Sequence, residues 1–350
     1  MASESPPPYR IYRARRLRSR HSVEAGLEAL RRRRRNPLRL RPRGPLTVGR
    51  AVRWAFAAAV AWLLLSLVLF LVSAQLEPGL GPATEQVLGG ASPLAGSTIL
   101  VLGTDARVGA SIDRSQTGPP RADTIMLLRV GLSGVRKLSI PRDTYTEIPG
   151  HPAQKINAAY ALGGAPLMVQ TVENFFGGRL RVDHLVELDF ADFPKLIDAL
   201  GGITVYSKSR ICSPPFDNFW RGLRFPAGEL HLNGQQALGF ARVRKNRCAP
   251  NETDLDRAQR QQQVVDAIRR RLLAPATFVR LPLVAWRAPK ALRTDMRGPT
   301  LLALFAAMAI GGSGGQAHVL EPSCLSCGPG SSILVSEGAK RDALGYLIGG

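Results

Sequence analysis

Between Arg53 and Glu77 the chain runs 23 residues without a charge, WAFAAAVAWLLLSLVLFLVSAQL. A bilayer core takes ~20 apolar residues wound as a helix, whereas the apolar stretch of a cleaved leader has only ~7–15. This run is longer and follows some fifty polar residues, so it reads as a retained signal-anchor. Trp54 stands at one boundary, a usual place for an aromatic anchor. A buried core helix is the competing reading, and the Arg excess on one side weighs against it. Residues 1–53 hold sixteen Arg and three Glu, so +13 of the net charge of +21 lies there. Arginine stays on the cytoplasmic side, which sends residues 77–350 outward. The run Arg31–Arg35, with Arg39, Arg41 and Arg43, has the composition of a nucleic-acid patch. Beside a span it reads more simply as a topology determinant on anionic headgroups, and no nucleic-acid partner is expected.

Beyond the span, Glu77–Gly96 is rich in Gly, Pro and Ala and reads as a linker. Strand and helix patterns then alternate. STILVLG (97–103), DTIMLLRVG (123–131) and VRKLSI (135–140) read as strands, the last two joined by a Ser133-Gly134 turn. Residues 152–176 read as largely helical and stop at Gly177-Gly178. HLVELDF (184–190) is a strand, DFPKLIDALGG (192–202) a helix, and ITVYS (203–207) a strand. Residues 209–228 form a loop, and 254–273 a long helix. This alternation predicts an α/β layered domain. The expected organisation is a head at 1–53 without fixed structure, a span at 54–76, a linker at 77–96, a main domain at 97–275 and an extension at 276–350. The four cysteines, Cys212, Cys248, Cys324 and Cys327, show no zinc spacing, and disulfides become available outside the cytoplasm.

The chemistry gathers at strand ends. Asp105 follows the first strand and Asp123 opens the second, with Arg107 and Arg121 beside them. Paired carboxylates suit a hard cation such as Mg2+ that shares phosphate oxygens; two loop aspartates in turns are the plainer alternative. Arg142 and Asp143 leave the next strand behind Pro141. Arg242 and Arg244, two apart, face one way if the backbone is extended. On the long helix, Arg257, Gln261, Val264, Ile268 and Leu272 form one stripe, apolar at its end and polar at its start. An inward Arg needs an anion, and the first turn of a helix favours phosphate. Arg260, Arg269 and Arg270 read as solvated charge. No Gly-x-Ser-x-Gly, Walker-type or Gly-x-Gly-x-x-Gly motif is present.

The segments LVLGTDAR, RADTIMLLRV, LSIPRDTY, KINAAYALGG, DALGGITV, LNGQQALGFARVR and DLDRAQRQQQVV occur in that order over about residues 97–270. As an ordered set they resemble the LytR-CpsA-Psr family of cell-wall glycopolymer ligases. The resemblance implies a three-layer α/β/α sandwich with a central mixed sheet, preceded here by one N-terminal transmembrane helix. It implies a bacterial cytoplasmic-membrane enzyme that takes a glycopolymer from a polyprenyl-pyrophosphate carrier, its lipid tail in an apolar groove, to a peptidoglycan or other envelope hydroxyl, leaving a phosphodiester. By match to the family motifs, Asp105 and Asp123 bind Mg2+ (or Mn2+). Arg121, Arg142, Arg242, Arg244, Arg257 and Gln261 hold the pyrophosphate, and Asp143 is a candidate base. The chain departs from the family where Pro119 replaces a second Arg ahead of Arg121; Arg114 or Arg107 is the candidate substitute. Cys212 and Cys248, in loops on either side of the Arg residues, are expected to pair. Two further readings remain: a polyprenyl-pyrophosphate phosphohydrolase, which would use the same Mg2+ and Arg site, and a membrane-bound transcriptional attenuator, which would act through the Arg-rich head and leaves Asp105 and Asp123 without a purpose.

Overall fold

A computed structural model describes residues 48–104, 122–131, 134–216, 220–310 and 318–349. The chain divides into two units at Ala58–Ala59. A helix long and apolar enough to cross a membrane, α1 (Val48–Leu76), begins in the first and ends in the second. Within the second unit, Ser66, Phe70 and Ser73 form its buried stripe, at spacings of four and three. Leu63, Leu64, Leu65, Val68 and Val72 stay exposed.

The strands follow as β1 (Ser97–Thr104), β2 (Ala122–Gly131), β3 (Gly134–Ile140), β4 (Tyr145–Ile148), β5 (His151–Lys155), β6 (His184–Leu188), β7 (Ile203–Ser207), β8 (Ile211–Cys212), β9 (Arg224–Phe225), β10 (Gly228–Leu232), β11 (Leu292–Thr294), β12 (His318–Val319), β13 (Cys324–Gly328) and β14 (Ser332–Leu334). The helices are α2 (Ala158–Phe175), α3 (Phe193–Leu200), α4 (Gly234–Arg242), α5 (Asp254–Leu272), α6 (Pro275–Arg287), α7 (Gly298–Ile310) and α8 (Glu337–Ile348). The central sheet has the order β11-β6-β1-β2-β3-β12. β1 pairs antiparallel with β2 and parallel with β6, so the sheet is mixed.

Alternation along a strand sends neighbouring side chains to opposite faces. Ile99, Val101, Met126 and Leu128 enter one apolar layer with α3 to α7. Leu100, Leu102, Ile125 and Leu127 enter the other, with α2 and α8. The result is a three-layer α/β/α sandwich, with a core on each face of the sheet. Residues 276–350 supply both edge strands, β11 and β12, nearly all of α6 and the whole of α7 to one layer, and α8 to the other.

Two glycines are required by close approach. A Cβ on Gly103 would stand 2.8 Å from Thr124 Oγ1, so β1 could not lie this near β2. A Cβ on Gly234 would stand 2.0 Å from the Pro194 carbonyl oxygen, which sets the distance between α3 and α4.

The structure departs from the sequence pattern in three places. Residues 152–155, read as the start of a helix, are β5, paired antiparallel with β4; Pro152 sits near the hairpin turn, where a missing N–H is harmless. The helix after them is broken at Gly163 and Gly164, the latter at φ 64°. Residues 77–96, read as a linker, lie against the domain, where Gly89 and Gly90 donate to the carbonyls of Val182 and Asp183 (2.9 Å each).

His184 ties that strap to the sheet. Its Nδ1 lies 2.6 Å from Asp295 Oδ2 and its Nε2 2.7 Å from the Ala91 carbonyl oxygen. Both partners only accept, so both contacts are made as donors when the ring is protonated. Burial pulls the His184 pKa down, but Asp295 and the Ala91 carbonyl outweigh it, and the net shift is upward from 6.5. A raised histidine pKa gives stability that is complete below the unfolded value and is lost as pH rises through the folded one. Unfolding midpoints of the wild type and His184→Asn are therefore expected to differ most below pH 6.5 and to converge as pH climbs above it. A gap that widens with rising pH would contradict this assignment.

Candidate functional site

The site is organised by Asp123, the second residue of β2. Arg142 Nη1 donates to its Oδ1 at 2.9 Å, and Arg244 Nη2 donates to its Oδ2. Arg257 Nη2 donates to the Asp123 backbone carbonyl. Three guanidiniums from three elements thus meet at one residue: Arg142 from the turn after β3, Arg244 from the loop after α4, and Arg257 from the first turn of α5. Burial by itself raises the pKa of the Asp123 carboxyl, but Arg244, Arg257 and Arg142 together bring it below the usual carboxylate range.

Around this centre, Asp143 lies 3.6 Å from Arg142 Nε and 3.2 Å from Lys155 Nζ. Gln261 donates to the Ala241 carbonyl at 3.4 Å. Arg242 does not extend alongside Arg244. It is the last residue of α4, and its guanidinium lies 4.5 Å over the Phe190 ring. The extended backbone assumed for this pair holds only after Val243, which leaves the helix at ψ 120°. Asp105, Arg107, Arg114 and Arg121 lie outside the described residues.

Arg260, read from sequence as solvated, is buried. It lies three residues after Arg257 and so shares its inward face. Its Nη1 meets Glu252 Oε2 at 2.6 Å, and its Nη2 donates to the Val243 carbonyl at 2.8 Å. Arg269 donates to the Met308 carbonyl at 2.7 Å.

The Arg260 contacts belong to a clamp on the loop that carries Arg244. Asn246 Oδ1 accepts from the backbone N–H of Cys212 (2.9 Å) and of Cys248 (3.1 Å), and its Nδ2 donates to Glu252 Oε1 (2.9 Å). A disulfide joins Cys212 to Cys248, with Cα atoms 5.3 Å apart. Burial raises the Glu252 pKa on its own; Ser209, Asn246 and Arg260 more than offset that, and the net direction is down. The start of α5 is fixed separately by a capping box, in which the Thr253 N–H donates to Asp256 Oδ2 at 2.7 Å.

Behind Asp123 is a cavity of about 160 Å³ between the sheet and the helices. Val101, Met126, Leu196, Val264, Leu304 and Phe305 are among its walls, and Asp123, Arg242, Arg257 and Gln261 also line it. The site therefore offers a largely apolar chamber with two arginines in its lining. Sequence reasoning missed Lys155, Glu252, Asn246 and Arg260. Arg260 had a readable signal in its helical spacing from Arg257; the others depend on long-range contacts.

This chain belongs to the LytR_cpsA_psr family, whose model matches residues 85–315. It is 34% identical over 204 residues to the polyisoprenyl-teichoic acid–peptidoglycan teichoic acid transferase TagU of Halalkalibacterium halodurans, covering 57% of this chain and 61% of that protein. It is 36% identical over 193 residues to the probable cell wall biosynthesis protein LcpB of Corynebacterium glutamicum, covering 53% and 44%. The crystal structure of TagV from B. subtilis aligns with a TM-score of 0.57 at 28% identity, over 72% of this chain and 97% of that one. The chain thus spans about half the length of the curated relatives it matches.

The chain-entropy cost of opening a 36-residue separation is ~3–4 kcal/mol. A Cys212→Ser/Cys248→Ser double variant is expected to lose about 2–4 kcal/mol of unfolding free energy in denaturant titration. An unchanged midpoint would show that the clamp holds without the covalent bond.

Proposed function

We propose that this chain is a membrane-anchored phosphotransferase that moves a glycopolymer from a polyprenyl-pyrophosphate carrier to a cell-wall hydroxyl. The observation that carries the reading is the junction of an apolar cavity with three arginines around Asp123. A polyprenyl pyrophosphate has the same two halves: a tail that must leave water and a head that needs cationic donors. The similarity to TagU, a polyisoprenyl-teichoic acid–peptidoglycan teichoic acid transferase, supports the same class of reaction here. Helix α1 anchors the protein by a single pass, with the Arg-rich head cytoplasmic and the domain outside.

In this mechanism the tail fills the cavity, and the pyrophosphate lies against Arg142, Arg244 and Arg257, with Arg242, Gln261 and Arg121 assigned to the same head. The acceptor hydroxyl attacks the glycan-proximal phosphorus. The bridging P–O bond breaks, polyprenyl phosphate leaves, and the hydroxyl proton passes to solvent as the phosphodiester forms. The arginines stabilise the charge that accumulates on the departing phosphate, and positioning supplies most of the rest. Asp143, held between Lys155 and Arg142, acts by orienting the Arg142 guanidinium.

Among the described residues there is no group of three or more His, Cys, Asp or Glu that could cage a metal. The arginine cluster nevertheless contains carboxylates, Asp123 and Asp143, and Mg2+ is often held by one or two carboxylates and substrate oxygens. Asp123 with Asp105 would hold it, with Mn2+ as a substitute, and when bound it would neutralise phosphate charge.

The test is a transfer assay with the full-length protein, a synthetic polyprenyl-pyrophosphate glycan and a peptidoglycan oligomer. Asp123→Ala is expected to lower transfer by ~10²-fold or more with membrane insertion unchanged. Full activity in that variant would overturn the site. Chelation by EDTA is expected to abolish transfer, and Mg2+ to restore it; transfer that survives EDTA would remove the metal from the scheme. Release of phosphorylated glycan independent of acceptor would make the enzyme a hydrolase instead.

A further inference from the structure

We propose that helix α6 is immersed in the outward half of the bilayer beside α1, so that the domain sits partly within the membrane. This rests on the reading of α1 as a span but not on the transfer reaction.

Helix α6 exposes Phe278, Val279 and Leu283, and Leu273 just ahead of it is also exposed. Scattered apolar residues are ordinary on a protein surface. Three of these four lie on α6 itself and Leu273 closes the helix before it, while Thr277, Val284 and Ala285 take the inner face of α6.

Two hydrogen bonds fix the direction and depth of α6. Trp62 Nε1 donates to the Phe278 carbonyl at 2.9 Å, and Ser73 Oγ donates to the Trp286 carbonyl at 2.8 Å. The helices therefore run the same way. Phe278 lies at the level of Trp62 and Trp286 at the level of Ser73, which are ~16 Å apart along α1 at 1.5 Å per residue. A bilayer that surrounds this part of α1 cannot avoid α6.

The composition of α6 is graded as a membrane leaflet is. Phe278, Val279 and Leu283 flank the interior of the span. Trp286, Arg287 and Lys290 flank its outward end, where Lys290 meets Glu77 at 3.5 Å and lies 4.9 Å over the Trp286 ring. Tryptophan and basic side chains belong at the headgroup level. Arg280 is the one charge on the deep half of α6, and it is turned aside. A Cβ on Gly201 would stand 2.7 Å from Arg280 Nη1, so the guanidinium lies at the carboxyl end of α3, which carries the negative end of that helix dipole. Beside α6, Phe305 of α7 touches Phe70 of α1 edge-on at 5.7 Å while also lining the cavity. Immersion therefore brings the apolar wall of the cavity to the lipid.

All four native cysteines are in disulfides, so single added thiols can be labelled. Full-length protein carrying a bimane at Val279→Cys or Leu283→Cys would be reconstituted into phosphatidylcholine–phosphatidylglycerol nanodiscs. Leu63→Cys on the exposed side of α1 is the lipid-facing control. Leu162→Cys, exposed on α2 across the sheet, is the water-facing control. Doxyl-labelled lipid is expected to quench positions 279 and 283 to within about twofold of position 63, and iodide to quench only position 162. Iodide quenching at 279 and 283, with 63 still quenched by lipid, would overturn the proposal and leave the span intact. Shielding of 279 and 283 from both quenchers would mean that protein, such as a second copy, covers α6, and would also overturn it. Lipid quenching at none of these positions would remove the span itself.

Discussion

Three guanidiniums do not gather without an anion, and in this protein Asp123 supplies it. Its carboxylate accepts from Arg142 and Arg244, and its backbone carbonyl from Arg257. Like charges at this spacing repel strongly where water is scarce, so the carboxylate is what lets β2, the turn after β3, the loop after α4 and the start of α5 close on one point. On the reading proposed above, donors held ready in this way need little rearrangement to receive a phosphate head. The same residue faces the chamber behind it, so the polar and apolar halves of the site are joined at a single position of the sheet.

The surroundings fix each arginine in a different way. Arg142 is steadied by Asp143, which Lys155 holds from the β4–β5 hairpin. The Arg244 loop is closed by Asn246, Glu252, Arg260 and a disulfide. Helix α5 is kept from sliding by two polar contacts across the sheet face: the buried Lys137 of β3 with Asp266, and Gln262 Nε2 with Ser139 Oγ at 2.6 Å. Buried polar groups cost stability unless satisfied, and satisfied ones admit few alternative registers. These contacts tie a site that stands on turns to distant parts of the chain.

The sequence was most legible where a short-range rule decides structure. The buried strands β1 and β2 carry apolar runs, ILVL and IMLL, because both of their faces are covered, and the inward stripe of α5 follows from helical spacing. Arg257 could be placed from that stripe and its need for an anion. The rule was applied too narrowly to Arg260, which shares the face. Elsewhere local patterns were silent. Residues 152–155 carry no alternation to mark β5, because a two-stranded hairpin on the rim is specified by its partner. Arg242 and Arg244 straddle a helix end that the two-apart spacing could not reveal. The strap at 77–96 has a linker's composition, yet it is held by backbone groups and by His184, and neither leaves a trace in composition.

The two margins of the central sheet are closed by very short strands, both from the C-terminal portion: Leu292–Thr294 beside β6 and His318–Val319 beside β3. A polypeptide ending near residue 275 would keep every arginine of the site and still leave β6 and β3 with bare rows of N–H and C=O groups. Such rows recruit strands from other molecules. The tail's contribution is thus partly prophylactic: it denies neighbouring chains a template.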